Sequence, residues 1–115
     1  MKHLSEHTAI TETEKVVLKK CSETIRKIDP SAEVILYGSR ARGDAEPESD
    51  YDLLILIDGE VTLEKEDLVC RHLYPLELET GKILTAFVYS RQQWNTPLYR
   101  AMPFYKNIER EGVIL

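Results

Sequence analysis

The sequence lacks any apolar stretch long enough to cross a lipid bilayer, which takes roughly 20 residues in a helix. The longest unbroken apolar run, Leu53–Ile57, is far shorter. The first residues, Met1–Thr8, also lack the apolar centre of a secretion signal. We therefore expect a cytoplasmic protein without a membrane partner. The length of 115 residues favours a single domain over residues 1–115.

Cysteine is scarce as well. The chain has 2 cysteines, Cys21 and Cys70, and their spacing fits neither a zinc knuckle nor a redox pair. His72 is close to Cys70 in sequence, but residues two apart on a helix point in different directions. We therefore predict no zinc site. Because free cysteine behaves as a small apolar residue, both thiols are expected to be buried.

Positive charge is in deficit, since 15 Lys and Arg stand against 20 Asp and Glu, for a net charge of −5. A generally acidic surface repels the phosphates of nucleic acid, and no basic stripe interrupts the sequence. These features argue against nucleic-acid binding. They leave room for a small basic pocket that binds one nucleotide. The composition, 43% hydrophobic and 30% charged, is ordinary for a globular protein with one modest core.

The first long element is an amphipathic helix. Thr11, followed three residues later by Glu14, has the form of a capping box at a helix start. Apolar residues then recur at helical spacing, at Val17, Cys21, Ile25 and Ile28. The pattern predicts a helix that ends at Asp29-Pro30.

Short, apolar and β-prone segments predict strands at residues 34–37, 51–57 and 83–89. A short edge strand is expected at 113–115, after a last helix that begins at Pro103. Gln92–Met102 gives no clear signal. The alternation of these strands with helices predicts an α+β layered fold, in which a small mixed sheet has helices packed on one face.

Residues 63–80 predict a second long helix that stops at Gly81. Leu68, His72, Leu76 and Glu79 fall along one line of this helix. Pro75 has no backbone N–H and crowds the preceding turn, so we expect it to kink or divide the helix.

Gly38-Ser39 follows the first predicted strand, and Arg40 and Arg42 come directly after it. A strand that turns at once into a helix leaves backbone N–H groups unpaired, and such groups attract anions. Gly38 lets a phosphate approach the backbone, because glycine has no Cβ in the way. Ser39 adds a hydroxyl donor, and either arginine could pair with phosphate oxygens. The segment is a candidate phosphate site.

Asp50 and Asp52 begin the next predicted strand. Side chains alternate along a strand, so both carboxylates point to the same side, with Cα atoms roughly 6.5 Å apart. Two carboxylates this close repel each other, and a shared divalent cation relieves the repulsion. Hard oxygen ligands suit Mg²⁺, which also keeps water and substrate phosphates as ligands. The pair is therefore a candidate magnesium site.

Each of these pieces is common alone, but their combination is specific. Gly38-Ser39-Arg40-Ala41-Arg42-Gly43, followed by Ser49-Asp50-Tyr51-Asp52-Leu53, resembles the signature of the DNA polymerase β-like nucleotidyltransferase superfamily. The closest resemblance is to the minimal nucleotidyltransferases, the MNT group. The motif covers residues 34–57, and the element order elsewhere agrees with that fold.

The resemblance implies roles for five residues. Gly38 and Ser39 would hold the β- and γ-phosphates of a nucleotide with the help of Arg42, and Asp50 and Asp52 would be the catalytic ligands of Mg²⁺. The implied reaction moves a nucleoside monophosphate, usually AMP from ATP, to a hydroxyl or phosphate acceptor, and pyrophosphate leaves. The acceptor is not specified by the sequence.

The chain departs from the family at one position. Many active members carry a third carboxylate on the next core strand, but residues 82–89 contain no Asp or Glu. Thr85 could hold a metal-bound water there, and Glu77 or Glu79 could reach the site from the preceding helix. Two alternatives to efficient catalysis follow. The chain could be the antitoxin-like partner of a helical HEPN-domain toxin, as MNT-like proteins often are, or a nucleotide-binding module with weak or no turnover.

Overall fold

The computed structural model describes all 115 residues of the chain. The helices are α1 (Glu12–Ile28), α2 (Ser39–Arg42), α3 (Leu63–Thr80), α4 (Arg91–Trp94), α5 (Pro97–Arg100) and α6 (Pro103–Glu111). The strands are β1 (Lys2–His3), β2 (Glu33–Tyr37), β3 (Tyr51–Ile57), β4 (Leu84–Ser90) and β5 (Val113–Ile114). A 3₁₀ turn at Leu4–Glu6 follows β1. The predicted long helices and central strands are confirmed to within a residue or two.

The 5 strands form one mixed sheet in the order β1-β5-β2-β3-β4. β2 and β3 are antiparallel, whereas β3 and β4 are parallel and are joined by α3. The predicted mixed sheet is therefore confirmed. The prediction of an edge strand at 113–115 is wrong, because β5 lies between β1 and β2. Lys2–His3 pairs with Val113–Ile114, and such a short, exposed strand carries no hydrophobic alternation that a sequence pattern could register.

One face of the sheet packs against α1 and α3. The predicted capping box starts α1: the Glu14 N–H donates to Thr11 Oγ1 at 3.2 Å, and the Thr11 N–H donates to Glu14 Oε1 at 3.3 Å. The core on this face is built from buried apolar side chains, including Leu18, Cys21, Ile25, Val34, Leu36, Leu53, Ile55, Val69 and Leu73. Full burial of each large aliphatic side chain contributes about 1.5–3 kcal/mol.

The opposite face is covered by the C-terminal third of the chain. Ile35, Leu54 and Leu56 of the sheet pack against Trp94 and Ile108. Aromatic side chains extend this second core, namely Tyr37, Tyr89, Tyr99, Phe104 and Tyr105. The predicted arrangement, with helices on one face, describes α1 and α3. The short helices α4–α6 add a second layer, in which α6 is the predicted last helix, whereas the ambiguous signal of residues 92–102 did not reveal α4 and α5.

The longest helix, α3, differs from its prediction in two details. It continues through Pro75 without a break, so the proline does not divide it. Its buried residues are Val69, Leu73 and Leu76, and His72 is exposed. Of the residues on the line read from the sequence, Leu76 is buried, Leu68 is half-buried, and His72 and Glu79 are exposed, so the line is not the buried face of the helix. None of the chain's helices combines the length and the apolar character needed to cross a membrane.

The two cysteines lie in different environments. Cys21 is fully buried in the core, as predicted, and burial raises the pKa of its thiol to about 11. Cys70 is exposed, so the prediction that it is buried is wrong. It lies on α3 next to the buried Val69, on the side that turns away from the core.

We expect a thiol-specific alkylating reagent at pH 8 to modify Cys70 in the folded protein and to leave Cys21 unreacted. The thiolate is the reactive form, and both burial and a raised pKa keep the Cys21 thiol protonated and inaccessible. Mass spectrometry after a short exposure checks this. A Cys70→Ser variant should show no labelling until denaturant is added. Equal labelling rates for both thiols in the native protein would contradict the packing described for α1.

Candidate functional site

The candidate site begins where β2 ends. Gly38 follows Tyr37 and has φ 77° and ψ −159°, a backbone conformation that residues with a Cβ rarely adopt. A Cβ at this position would lie 2.6 Å from Oδ2 of Asp52. The Asp52 carboxylate therefore rests directly against the Gly38 backbone. This contact joins the two halves of the motif, which are separate in sequence.

Ser39 opens the short helix α2, as predicted. The N–H groups of Ala41 and Arg42 both donate to the Gly38 carbonyl, at 3.1 and 3.0 Å. The N–H groups of Ser39 and Arg40 precede these bonds and have no acceptor within the helix. Gly43 closes the turn in the left-handed conformation, with φ 82°. The turn thus offers backbone donors and the Ser39 hydroxyl beside Asp52.

Asp52 lies between two neighbours in the sheet. It pairs with Tyr37 of β2 and with Thr85 of β4, so the three side chains project from the same face. Burial raises the pKa of Asp52 above its usual value, the charge of Asp50 raises it further, and Arg42 partly opposes both effects. The two carboxylates are therefore close enough to repel each other, as the alternation of β3 predicts.

The donor set fits a divalent cation that completes its shell from outside the protein. Asp50, Asp52 and the neighbouring Thr85 hydroxyl offer hard oxygen ligands, which suit Mg²⁺. No group of three or more His, Cys, Asp or Glu side chains in the chain is arranged to hold a metal. Any cation here must take its remaining ligands from water and substrate phosphate. Mg²⁺ in nucleotide sites is usually bound in this way, by one or two carboxylates together with water and substrate phosphates.

The missing third carboxylate is not supplied by α3. Glu77 Oε2 accepts a hydrogen bond from the Leu84 N–H at 3.2 Å, and so caps the start of β4. Glu79 pairs with Lys20 of α1 at 2.8 Å. Both glutamates that the sequence offered as candidates thus have other partners in the fold. Thr85 lies beside Asp52, and neither glutamate adds a third carboxylate there.

Arg42 lies at the edge of the site, and its side chain is 47% exposed. Its guanidinium pairs with Glu111 at 3.0 Å and with Asp44 at 3.2 Å. Glu111 also accepts a hydrogen bond from the Gly38 N–H at 3.2 Å. Glu111 was missed by sequence reasoning, because a carboxylate near the end of the last helix carries no motif. It holds Arg42 next to the Gly38 turn.

Arg40 does not point toward the open side of the turn. Its guanidinium donates to the carbonyls of Pro47 and Ser49 and is 11% exposed. Of the two arginines that could pair with phosphate, only Arg42 is accessible.

An open groove of about 930 Å³ borders the site on the side of Arg42 and Glu111. Its lining also includes Lys2, His7 and Arg110. Asp50 and Asp52 do not line this groove. Asp50 is exposed and Asp52 half-buried, so the carboxylate pair faces an accessible surface rather than an enclosed cavity.

The fold and the joined Gly-Ser and Asp-x-Asp segments define a nucleotidyltransferase domain. A family model described as "Nucleotidyltransferase domain" matches residues 18–94, which is more than half of the chain. The chain belongs to this family, and the resemblance inferred from the motif is confirmed. Membership of this family identifies the protein as an enzyme that transfers nucleotides.

Relatives with more specific names come from Methanocaldococcus jannaschii. The chain is 33% identical over 112 residues to "Putative protein adenylyltransferase MJ0604", covering 97% of this chain and 99% of the relative. It is 36% identical over 73 residues to "Putative protein adenylyltransferase MJ0141", covering 64% of this chain and 73% of the relative.

A solved structure supports the architecture. The crystal structure of a "putative nucleotidyltransferase from Sulfolobus solfataricus" matches with a TM-score of 0.58 and 22% identity, over 86% of this chain and 76% of that chain. At this level of identity the likeness concerns the fold, and the predicted fold class is confirmed.

A Gly38→Ala substitution should abolish metal-dependent nucleotide binding, because the new Cβ displaces the Asp52 carboxylate. Gly59→Ala is a matched control: Gly59 also has a positive φ, of 85°, but a Cβ there would meet nothing within 4 Å. Both variants should lose about 1–3 kcal/mol of stability from backbone strain. Urea unfolding measures the strain, and calorimetry with ATP and Mg²⁺ measures binding. If Gly38→Ala binds as Gly59→Ala does, the contact has no role in binding.

Proposed function

We propose that the protein is a Mg²⁺-dependent adenylyltransferase that moves AMP from ATP to an acceptor hydroxyl or phosphate. The observation that carries the proposal is the contact between the Gly38 backbone and the Asp52 carboxylate. This contact brings a turn suited to phosphate next to a carboxylate pair suited to a metal. The names of the two M. jannaschii relatives support the choice of the adenylyl group.

The proposed roles follow from the positions of the side chains. Gly38, which has no Cβ, lets the β- and γ-phosphates approach the backbone, and Ser39 binds them through its N–H group and its hydroxyl. Arg42 swings from Asp44 and Glu111 to pair with a phosphate oxygen, since its own side chain is half-exposed. Asp50 and Asp52 hold the cation. When bound, Mg²⁺ supplies charge neutralisation on the phosphates and helps to orient them.

The reaction requires little covalent chemistry from the protein. The acceptor oxygen forms a bond to the α-phosphorus, the bond from that phosphorus to the bridging oxygen breaks, and pyrophosphate leaves with the bond's electrons. The acceptor's proton passes to solvent, because no carboxylate stands at Thr85 to take it. The rate enhancement comes from positioning of the reacting groups and from electrostatic stabilisation of the transition state. The absence of a general base reduces it by about 10²–10⁴-fold.

Transfer of label from ATP tests the proposal. With Mg²⁺ and candidate acceptor proteins or nucleotides, label on the α-phosphate should appear in the acceptor, and label on the γ-phosphate should appear only in pyrophosphate. An Asp50→Asn/Asp52→Asn variant should lose the transfer. Asp67→Asn is the control, because the Asp67 side chain lies on the solvent side of α3 and is 65% exposed. Equal signal from wild type and the double variant would eliminate turnover on those acceptors, and γ-label in the acceptor would indicate a kinase instead.

A nucleotide-binding module with weak turnover is the second candidate, favoured by Thr85 beside Asp52. Thr85→Asp discriminates between the two candidates. If the site is a catalyst that lacks one acid, the new carboxylate should lower the Mg²⁺ concentration needed for half-maximal binding of ATP and raise transfer by roughly 10²-fold. Thr85→Asn, which is neutral and similar in size to Asp, should give no gain. Tighter metal binding without any increase in transfer would favour the binding module.

The association with a HEPN-domain protein stays a prediction, because no contact in this chain favours it. Co-expression with a candidate helical partner, followed by co-purification and a search for adenylylated residues on that partner, tests it.

The cytoplasm is the expected compartment of the reaction, where ATP and Mg²⁺ are both abundant. The assignment of residues 1–115 to one domain is likewise part of this proposal.

A further inference from the structure

Arg40 uses its guanidinium inside the fold. Nε and Nη2 both donate to the Ser49 carbonyl, at 3.3 and 2.9 Å, and Nη2 also donates to the Pro47 carbonyl at 3.0 Å. Nη1 lies 3.5 Å from Glu14 Oε2. Every nitrogen of the group therefore has a partner within the chain. With 11% of its side chain exposed, Arg40 leaves little of its guanidinium to solvent.

These bonds reach the residue that precedes a proposed metal ligand. Ser49 is directly before Asp50, and Pro47 lies in the loop between α2 and β3, which has no helix or strand of its own. Arg40 is directly after Ser39. One side chain thus connects the start of the phosphate-binding turn to the backbone of the carboxylate segment. The only other side chain that donates to the Pro47 carbonyl is that of the half-buried Lys82, at 3.2 Å.

Tyr51 and Glu14 fix Arg40 from the side of the core. The guanidinium carbon lies 4.6 Å from the centre of the Tyr51 ring, which is a cation–π distance. The Tyr51 hydroxyl donates to Glu14 Oε2 at 3.2 Å, and Glu14 also caps α1. Tyr51 is 2% exposed and separates Asp50 from Asp52 in sequence. The residue between the two carboxylates is therefore anchored to the first turn of α1.

We propose that Arg40 is a positioning residue, which holds Asp50 in reach of the metal by fixing the backbone at Pro47 and Ser49, and that it does not bind phosphate. This inference rests on the proposed function of Asp50 and Asp52. It divides the two arginines of the motif: Arg42 contacts the nucleotide, and Arg40 sets the geometry of the metal ligands. Outer partners that orient metal ligands typically change metal affinity by 10–100-fold when removed.

The two roles predict opposite patterns in a binding experiment. ATP binding is measured first in EDTA and then across a Mg²⁺ titration, for wild type, Arg40→Ala, Arg40→Lys and Arg42→Ala. Arg40→Ala should bind metal-free ATP as wild type does, but require about 10–100-fold more Mg²⁺ for half-maximal enhancement. Arg42→Ala should weaken metal-free binding. Arg40→Lys, which keeps one donor and the charge, should recover part of the Mg²⁺ response.

A second readout needs no ligand. Hydrogen exchange of the apo-protein should accelerate in Arg40→Ala at the hydrogen-bonded amides of Asp44 and Ser49 and stay unchanged in α1 and β2. If Arg40→Ala fails to fold, Arg40→Lys carries the test with an intermediate shift in Mg²⁺ requirement.

Three outcomes overturn the inference. A loss of metal-free ATP binding in Arg40→Ala equal to that in Arg42→Ala makes Arg40 a phosphate ligand. A Mg²⁺ titration of Arg40→Ala that matches wild type shows that the loop needs no anchor. A wild-type protein whose ATP binding does not respond to Mg²⁺ removes the proposed function itself, and with it the role of Arg40.

Discussion

The antiparallel pairing of β2 with β3 is the constraint on which the site depends. Its register sets Tyr37 opposite Asp52, and the chain leaves β2 at Gly38 with its backbone against the Asp52 carboxylate. A slip of one residue in this pairing would send Asp52 toward the α1–α3 core, where an unpaired charge is costly. The buried side chains on both faces of β3 exclude that slip. The hydrophobic core therefore fixes the distance between the phosphate turn and the carboxylates.

The same alternation separates stability from chemistry along one short segment. Tyr51 points into the core, where it contacts Arg40 and Glu14, while Asp52 next to it points to the opposite face of the sheet and Asp50 precedes the strand. A buried anchor between two charged residues limits how far they can move apart. The anchor offsets, through packing, part of the cost of holding Asp52 partly buried and near Asp50, and both burial and the Asp50 charge raise the pKa of Asp52.

The elements that sequence reasoning predicted well have strong local signals. The capping box at Thr11 and Glu14 starts α1, and the apolar run of β3 and the Gly-Ser turn after β2 appear at the expected residues. The site residues Gly38, Ser39, Arg42, Asp50 and Asp52 could be chosen as candidates because their residue types and spacing carry the motif, and their roles stay predictions.

The parts that escaped prediction depend on contacts between distant segments. β1 forms only because β5 is available to pair with it, and Glu111 reaches Gly38 from the last helix. The role of Arg40 could not be separated from that of Arg42, because both are basic residues in one short stretch. Cys70 was placed in the core because free cysteine behaves as a small apolar residue, and periodicity leaves its orientation on α3 undefined.

The central claim is that the Gly38 turn and the Asp50–Asp52 pair form one metal–nucleotide site. Paramagnetic broadening of backbone amide signals by Mn²⁺ with ATP tests this claim most directly. We predict that the strongest ATP-dependent broadening includes residues 38–42, 50–53 and Thr85. The amide signal of Asp58, just beyond the far end of β3, should not broaden. Asp50→Asn/Asp52→Asn should remove the broadening. Broadening centred on the groove around Lys2, His7 and Arg110, or unchanged in the double variant, would contradict the account.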